Sequence, residues 1–150
     1  MTREVKNVTV TFVCTGNTCR SPMGEAILKS LSESWGWEMR VFSAGLFATP
    51  GAPMSANAEE VLRQVFRIPD FHHSAMPMTA ELFTLSDLVI PMTGGHVRLL
   101  AERFGKSDKI VPMPVEVGDP WGGDLDQYET CAREIVRGIC LLKEKGILHG

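Results

Sequence analysis

With 150 residues, 44% of them hydrophobic, the chain can bury one core, and its length suits a single domain, 1–150, rather than two. Charged residues make up 22% of the total with the signs mixed, for a formal net charge of −3, which argues against a basic footprint for nucleic acid or a membrane surface. A small acidic excess still permits an anionic ligand, because backbone dipoles and one arginine can make a single loop positive.

Residues 1–7 carry Arg3, Glu4 and Lys6, and the apolar run behind them (Val8, Val10, Phe12, Val13) is short and alternating. That pattern predicts a strand over 8–13, not a signal peptide or a membrane span. The four cysteines suit free thiols, so a reducing, cytoplasmic setting is expected. A helix follows over 21–34, with Ser21 as N-cap, Pro22 at its first position and Met23, Ala26, Ile27 and Leu31 at helical spacing. A short second strand covers 39–42 and is broken by Ala44 and Gly45; Pro50, Gly51 and Pro53 mark a loop. Ser55 or Asn57 opens a second helix through Phe66, with Val61, Leu62, Val65 and Phe66 as its apolar face.

Residues 87–92 form an apolar third strand, short enough to be buried on both faces. Gly94 and Gly95 turn into a helix carrying Val97, Leu99, Leu100 and Phe104, and a fourth strand is expected over 109–111. A long loop rich in glycine and proline (Pro112, Pro114, Gly118, Pro120, Gly122, Gly123) leads to a final helix over about 126–145. This alternation predicts a doubly wound α/β domain, flavodoxin-like or Rossmann-like, with a four-stranded parallel sheet flanked by helices. Such sheets bind ligands beyond the carboxyl ends of their strands, and the first strand ends at Cys14.

The loop Cys14, Thr15, Gly16, Asn17, Thr18, Cys19, Arg20 joins that strand end to a helix N-terminus. Backbone N–H groups and the positive end of the helix dipole then converge on one spot, a cradle for phosphate. Gly16 lets the backbone curl, and Arg20 adds a planar charged fork for two phosphate oxygens. A cysteine at the mouth of such an electropositive nest favours its thiolate form. Cys14 is then placed for in-line attack on phosphorus, giving a phosphocysteine that water hydrolyses, with no metal and no cofactor required. Asp119, followed by Pro120 in the long loop, can reach the same sheet edge to protonate the leaving group and activate the water.

Taken together these residues closely resemble the low-molecular-weight protein tyrosine phosphatase family, over nearly the whole chain. The family's C-x5-R-S loop matches 14–21, and its late Asp-Pro matches Asp119 and Pro120; Ser43, Ala44 and Gly45, His73, the strand at 87–92 and Tyr128 follow in order. The resemblance implies Cys14 as nucleophile, Arg20 as phosphate clamp and Asp119 as general acid. It further implies that Asn17 and Ser21 hold the loop and assist the thiolate, that Ser43 and His73 support the loop, His73 through Asn17, and that Cys19 forms a reversible disulfide with Cys14 under oxidation. His73, beside His72, also fits an ordinary loop or core histidine, and Tyr128 reads as structural.

One departure bears on specificity. Tyrosine phosphatases of this family commonly carry an aliphatic residue where this chain has Thr18, and a threonine there resembles the branch that acts on phosphoarginine. Met92 with Thr93, and Asp119 to Pro120, Trp121, Gly122 and Gly123, agree with that branch. Trp121 can stack on a guanidinium with Phe47 as an opposing wall, although the same tryptophan can hold a tyrosine ring. The expected partner is a phosphorylated protein and the expected state a monomer. Phosphoarginine is favoured over phosphotyrosine, and Thr18 as a neutral variant is the competing reading.

Other classes fit less well. Cys131 and Cys140 stand nine residues apart on one helix and point to opposite faces, so they cannot share a zinc ion. A thiol-based arsenate reductase of this fold relays oxidation to cysteines around the third strand, and 66–104 contains none. A non-catalytic phosphate-binding module would have little use for Cys14, Arg20 and Asp119 together.

Overall fold

β1 (Val8–Cys14) is the central strand of a three-stranded parallel sheet of order β2-β1-β3, with β2 at Met39–Gly45 and β3 at Leu88–Pro91. The computed structural model describes residues 8–150; the expectation that 1–7 carries no export signal lies outside them. Alternate residues of β1 enter different cores. Val10, Phe12 and Cys14 face the larger cluster, packed with α1 (Arg20–Ser34), α2 (Ala56–Gln64) and α5 (Leu125–Glu144). Val13 faces a smaller cluster with Ala44, Val89 and Leu100, the last on α4 (Gly94–Phe104). Helices therefore cover both faces, which is why a strand of β-branched residues can be buried along nearly its whole length.

The chain leaves β1 for β2 on one side and returns to the other side of β1 for β3. Strand order thus reverses at β1, and the crevice beyond its carboxyl end opens at Cys14. The register sets Cys14 beside Gly45 and Val13 beside Pro91.

Four expectations are corrected. The sheet has three strands among the described residues, not four. Residues 109–111 do run along β3: the Val89 amide donates to Lys109 O at 2.8 Å, and the Val111 amide to Val89 O at 2.9 Å. The next rung would need an amide at Pro91, which has none, so only an isolated bridge between Val89 and Ile110 survives. Second, α1 begins at Arg20 with Cys19 at the cap position and no side-chain cap, so Ser21 is not its N-cap. Pro22 sits in the first turn, where an N–H would find no helical partner. Third, β2 runs on to Gly45 instead of breaking at Ala44. A Cβ at Gly45 would stand 2.7 Å from Thr15 O, so glycine serves close approach here rather than chain reversal. Fourth, α2 ends at Gln64, short of Phe66, and Arg67 adopts φ 56°.

A short helix that the sequence pattern does not announce, α3 (Ala80–Leu85), is capped by Thr79, whose hydroxyl accepts from the Leu82 amide. α4 (Gly94–Phe104) is capped by Thr93, and α5 by a capping box of Asp124 and Gln127. No helix among the described residues is long and apolar enough to cross a membrane.

Candidate active site

The loop from Cys14 to α1 is held from outside by its carbonyls. Cys14 O accepts from the Leu46 amide at 3.0 Å, Thr15 O from Phe47 at 2.9 Å and Thr18 O from Ser55 at 2.9 Å. His73 Nε2 lies 2.6 Å from Asn17 O and donates to it. With the carbonyls turned to the scaffold, the amides of 15–19 donate to no carbonyl among the described residues and remain available to a ligand.

Asn17 is the keystone of this shape. It is fully buried at φ 57°, a left-handed conformation that asparagine tolerates better than most residues. Its Oδ1 accepts from the Met76 amide at 2.8 Å, and its Nδ2 donates to Ser21 Oγ at 2.8 Å and Ser43 Oγ at 3.0 Å. The Ser43 hydroxyl donates to Glu25 Oε1 at 2.7 Å, and Glu25 pairs with Lys29. Ser21 Oγ is in turn 2.9 Å from Cys14 Sγ. The serine freed from capping α1 is therefore the one polar side chain among the described residues bonded to the sulfur.

Arg20 is buried, with 6% of its surface exposed. Its Nη1 donates to Val117 O at 3.3 Å, its Nη2 to Thr15 Oγ1 at 3.5 Å, and Nη2 stands 3.7 Å from Asp119 Oδ2. Asp119 is half exposed, and its Oδ1 accepts from the Trp121 amide at 3.0 Å. Cys14, Thr15, Gly16, Thr18, Cys19, Arg20, Asp119 and Trp121 line one recess of about 230 Å³. Trp121 stands at its rim, 78% exposed. Phe47 is not in the lining; its ring is 62% exposed, with the Arg103 guanidinium 4.7 Å from its centre.

Sequence reasoning missed the contacts of three side chains around the loop. Tyr128 is structural as the sequence suggests, but its particular contacts carry no local signal: its hydroxyl lies 3.5 Å from Cys19 Sγ and accepts from Ser55 Oγ at 2.9 Å, and burial pushes its phenol above the ordinary value. Ser55 does stand at the cap position of α2, as its place in the sequence suggests, but its hydroxyl turns to Tyr128 and makes no cap bond. His96 was not singled out at all: Nε2 lies 2.9 Å from Thr15 Oγ1 and Nδ1 lies 3.0 Å from Thr93 Oγ1. Burial first, and the Arg20 charge second, lower its pKa from 6.5 to about 4, against a smaller opposing pull from Asp119. The sequence signal available was Thr93 three residues ahead of His96, a cap position, but nothing local tied it to Thr15.

Cys131 is a different kind of thiol, buried and pushed up to about 12 by desolvation, which suits packing rather than nucleophilic chemistry. Among the described residues no group of three or more histidines, cysteines or carboxylates could hold a metal ion. The recess can instead hold a tetrahedral oxyanion: free amides and Arg20 supply the positive field, Cys14 lies in the lining, and a carboxyl stands on the open side.

A family model for low molecular weight phosphotyrosine protein phosphatase matches residues 9–145. A protein-arginine-phosphatase of Bacillus subtilis (strain 168) is 39% identical over 134 residues, covering 84% of this chain and 88% of that protein. The low molecular weight protein-tyrosine-phosphatase PtpB of Staphylococcus haemolyticus is 33% identical over 137 residues, covering 85% of this chain and 91% of the relative. A mutant of YwlE arginine phosphatase with a phosphorylated active site serine superposes with a TM-score of 0.85 at 36% identity, covering 92% of this chain and 95% of that one.

Proposed function

Because the chain belongs to the low molecular weight phosphotyrosine protein phosphatase family, we propose that it dephosphorylates phosphoarginine on proteins through a phosphocysteine on Cys14. The observation that carries the chemistry is the cradle itself, in which the loop carbonyls bond outward and Ser21 Oγ lies 2.9 Å from Cys14 Sγ. In the first step the Cys14 thiolate attacks phosphorus, a P–S bond forms and the P–N bond breaks. The departing guanidino nitrogen takes its proton from Asp119. The loop amides and Arg20 hold the three equatorial oxygens as charge develops on them. In the second step the Asp119 carboxylate removes a proton from water, the oxygen attacks phosphorus, and the P–S bond breaks to return the thiolate and release inorganic phosphate. The Ser21 hydroxyl donates to the sulfur as it leaves. The phosphorylated serine in the YwlE mutant supports a covalent route of this kind on the same fold.

Specificity for arginine rests on Thr18 and Trp121, which share the lining with Asp119. Thr18 offers a hydroxyl where an aliphatic group would favour a phenyl ring, and the exposed indole of Trp121 offers a face to a planar guanidinium. Asp119 adds a charge partner. Phosphotyrosine is the second reading, supported by the likeness to PtpB. Turnover of phosphoarginine and phosphotyrosine peptides by wild type and Thr18→Ile separates the two. Wild type should prefer phosphoarginine, and the substitution should move preference toward phosphotyrosine. Ready cleavage of phosphotyrosine with phosphoarginine untouched would remove the arginine assignment.

Cys19, buried beside Tyr128, is assigned as the thiol that captures oxidised Cys14. A peroxide converts the Cys14 thiolate to a sulfenic acid, and Cys19 then displaces water to form a disulfide that a thiol reductant reverses.

A further inference from the structure

We propose that His96 is a positioning residue for the phosphate clamp: through Thr15 it steadies Arg20 and turns the Thr15 hydroxyl proton into the cradle. The inference rests on the reading of this recess as a phosphate site. Its basis is a chain of side chains from α4 to α1, in which Thr93 Oγ1 is 3.0 Å from His96 Nδ1, His96 Nε2 is 2.9 Å from Thr15 Oγ1, and Arg20 Nη2 is 3.5 Å from Thr15 Oγ1.

Proton counting fixes the direction of the chain. Thr93 caps α4 by accepting from the His96 amide at 3.4 Å, which leaves its single hydroxyl proton for His96 Nδ1. A neutral imidazole that accepts at Nδ1 carries its proton on Nε2, and Nε2–H then donates to Thr15 Oγ1. His96 is buried and its pKa is about 4, so the neutral ring is the form present at neutral pH. Thr15 Oγ1 now receives two donors, His96 Nε2–H and Arg20 Nη2–H, and both of its lone pairs are used. Its own proton must point elsewhere. Thr15 lines the recess beside Cys14 and Arg20, so an oxygen of a bound phosphoryl group is the acceptor that this proton suits.

Without His96 the Thr15 rotor is free and its oxygen is no longer held toward Arg20, whose other partners among the described residues are Val117 O and the half-exposed Asp119. Two groups of the cradle then lose preorganisation together. A residue acting in this way changes oxyanion binding, whichever leaving group the phosphate carries.

The test uses inorganic phosphate as probe, with its affinity read by titration calorimetry, together with KM and kcat on phosphoarginine and on a small aryl phosphate. His96→Asn places its amide where Nδ1 lies and keeps the Thr93 contact, but stops short of Thr15. His96→Gln reaches as far as Nε2 and can still donate. His96→Asn should weaken phosphate about tenfold and raise KM on both substrates by a similar factor, the effect of losing one buried hydrogen bond. His96→Gln should recover most of the loss. The Thr15→Val, His96→Asn double variant should bind phosphate no more weakly than Thr15→Val alone. If either histidine variant fails to fold, the other against Thr15→Val still decides the matter: His96→Asn should match Thr15→Val, and His96→Gln should exceed it. Unchanged affinity in folded His96→Asn, equal losses in Asn and Gln, or losses that multiply in the double variant would overturn the relay. A wild-type protein that binds no phosphate would overturn the reading of the recess itself, a distinct result.

Discussion

The hydroxyl of Ser21 lies 2.9 Å from the sulfur of Cys14 and receives the amide of Asn17 on its other side, so one serine links the nucleophile to the frame of the loop. A donor so placed stabilises negative charge on sulfur both before attack and as the thiolate departs. Ser21→Ala should therefore lower kcat about 10- to 100-fold with KM little changed, the scale of a hydrogen bond to a charged group. Steady-state kinetics on either phosphorylated peptide reads this, and a rise in KM at constant kcat would contradict it.

Among the described residues Asn17 makes four hydrogen bonds from a buried left-handed position. Three come from its side chain, so Asn17→Ala leaves Ser43, Ser21 and the Met76 amide short of a partner. The variant should lose about 2–4 kcal/mol of stability, measured by urea denaturation. A loss below about 1 kcal/mol would mean that the loop keeps its shape without it.

His96 gives the protein a pH signature. Its pKa is lowered to about 4, so between that value and 6.5 the unfolded chain binds more protons than the folded one. Stability from this group therefore rises with pH across that window, is lost as pH falls through it, and levels off above. The full span corresponds to at most about 3 kcal/mol. Arg20 and Asp119 are the charges that act on it, and His96→Gln removes the titrating ring while keeping a donor. The urea midpoint of wild type should fall more steeply on acidification than that of His96→Gln; parallel curves would refute the assignment.

Oxidation separates two fates of the nucleophile. After mild peroxide treatment, dithiothreitol should restore the activity of wild type, the outcome expected of the proposed Cys14–Cys19 disulfide. Cys19→Ser should lose activity irreversibly under the same treatment. Equal recovery in both proteins would leave Cys19 without that role.

The parts of this site that sequence displayed are those whose geometry is local. Cys14, Gly16 and Arg20 lie within one strand-loop-helix turn, and their spacing alone dictates that they share a cradle. Asp119 stood out because proline follows it in a long loop. What stayed hidden needed contacts across the fold. His96 is 81 positions from Thr15 and Tyr128 is 109 from Cys19, separations at which no periodicity or motif operates. Ser21 misled in an instructive way, since a serine before Pro22 is a good helix cap and here the sulfur claims it instead. The fourth strand failed on one atom, the amide that Pro91 lacks, although the apolar pattern of 109–111 was sound.

The most direct test of the account is to look for phosphorus on sulfur. Wild type, mixed with a phosphoarginine protein, quenched with denaturant within the first turnover and analysed by peptide mass spectrometry, should carry phosphate on Cys14. Asp119→Ala, which lacks the acid of the first step and the base of the second, should turn over more slowly than wild type. Phosphate on any other residue, or turnover that persists in Cys14→Ala, would contradict it.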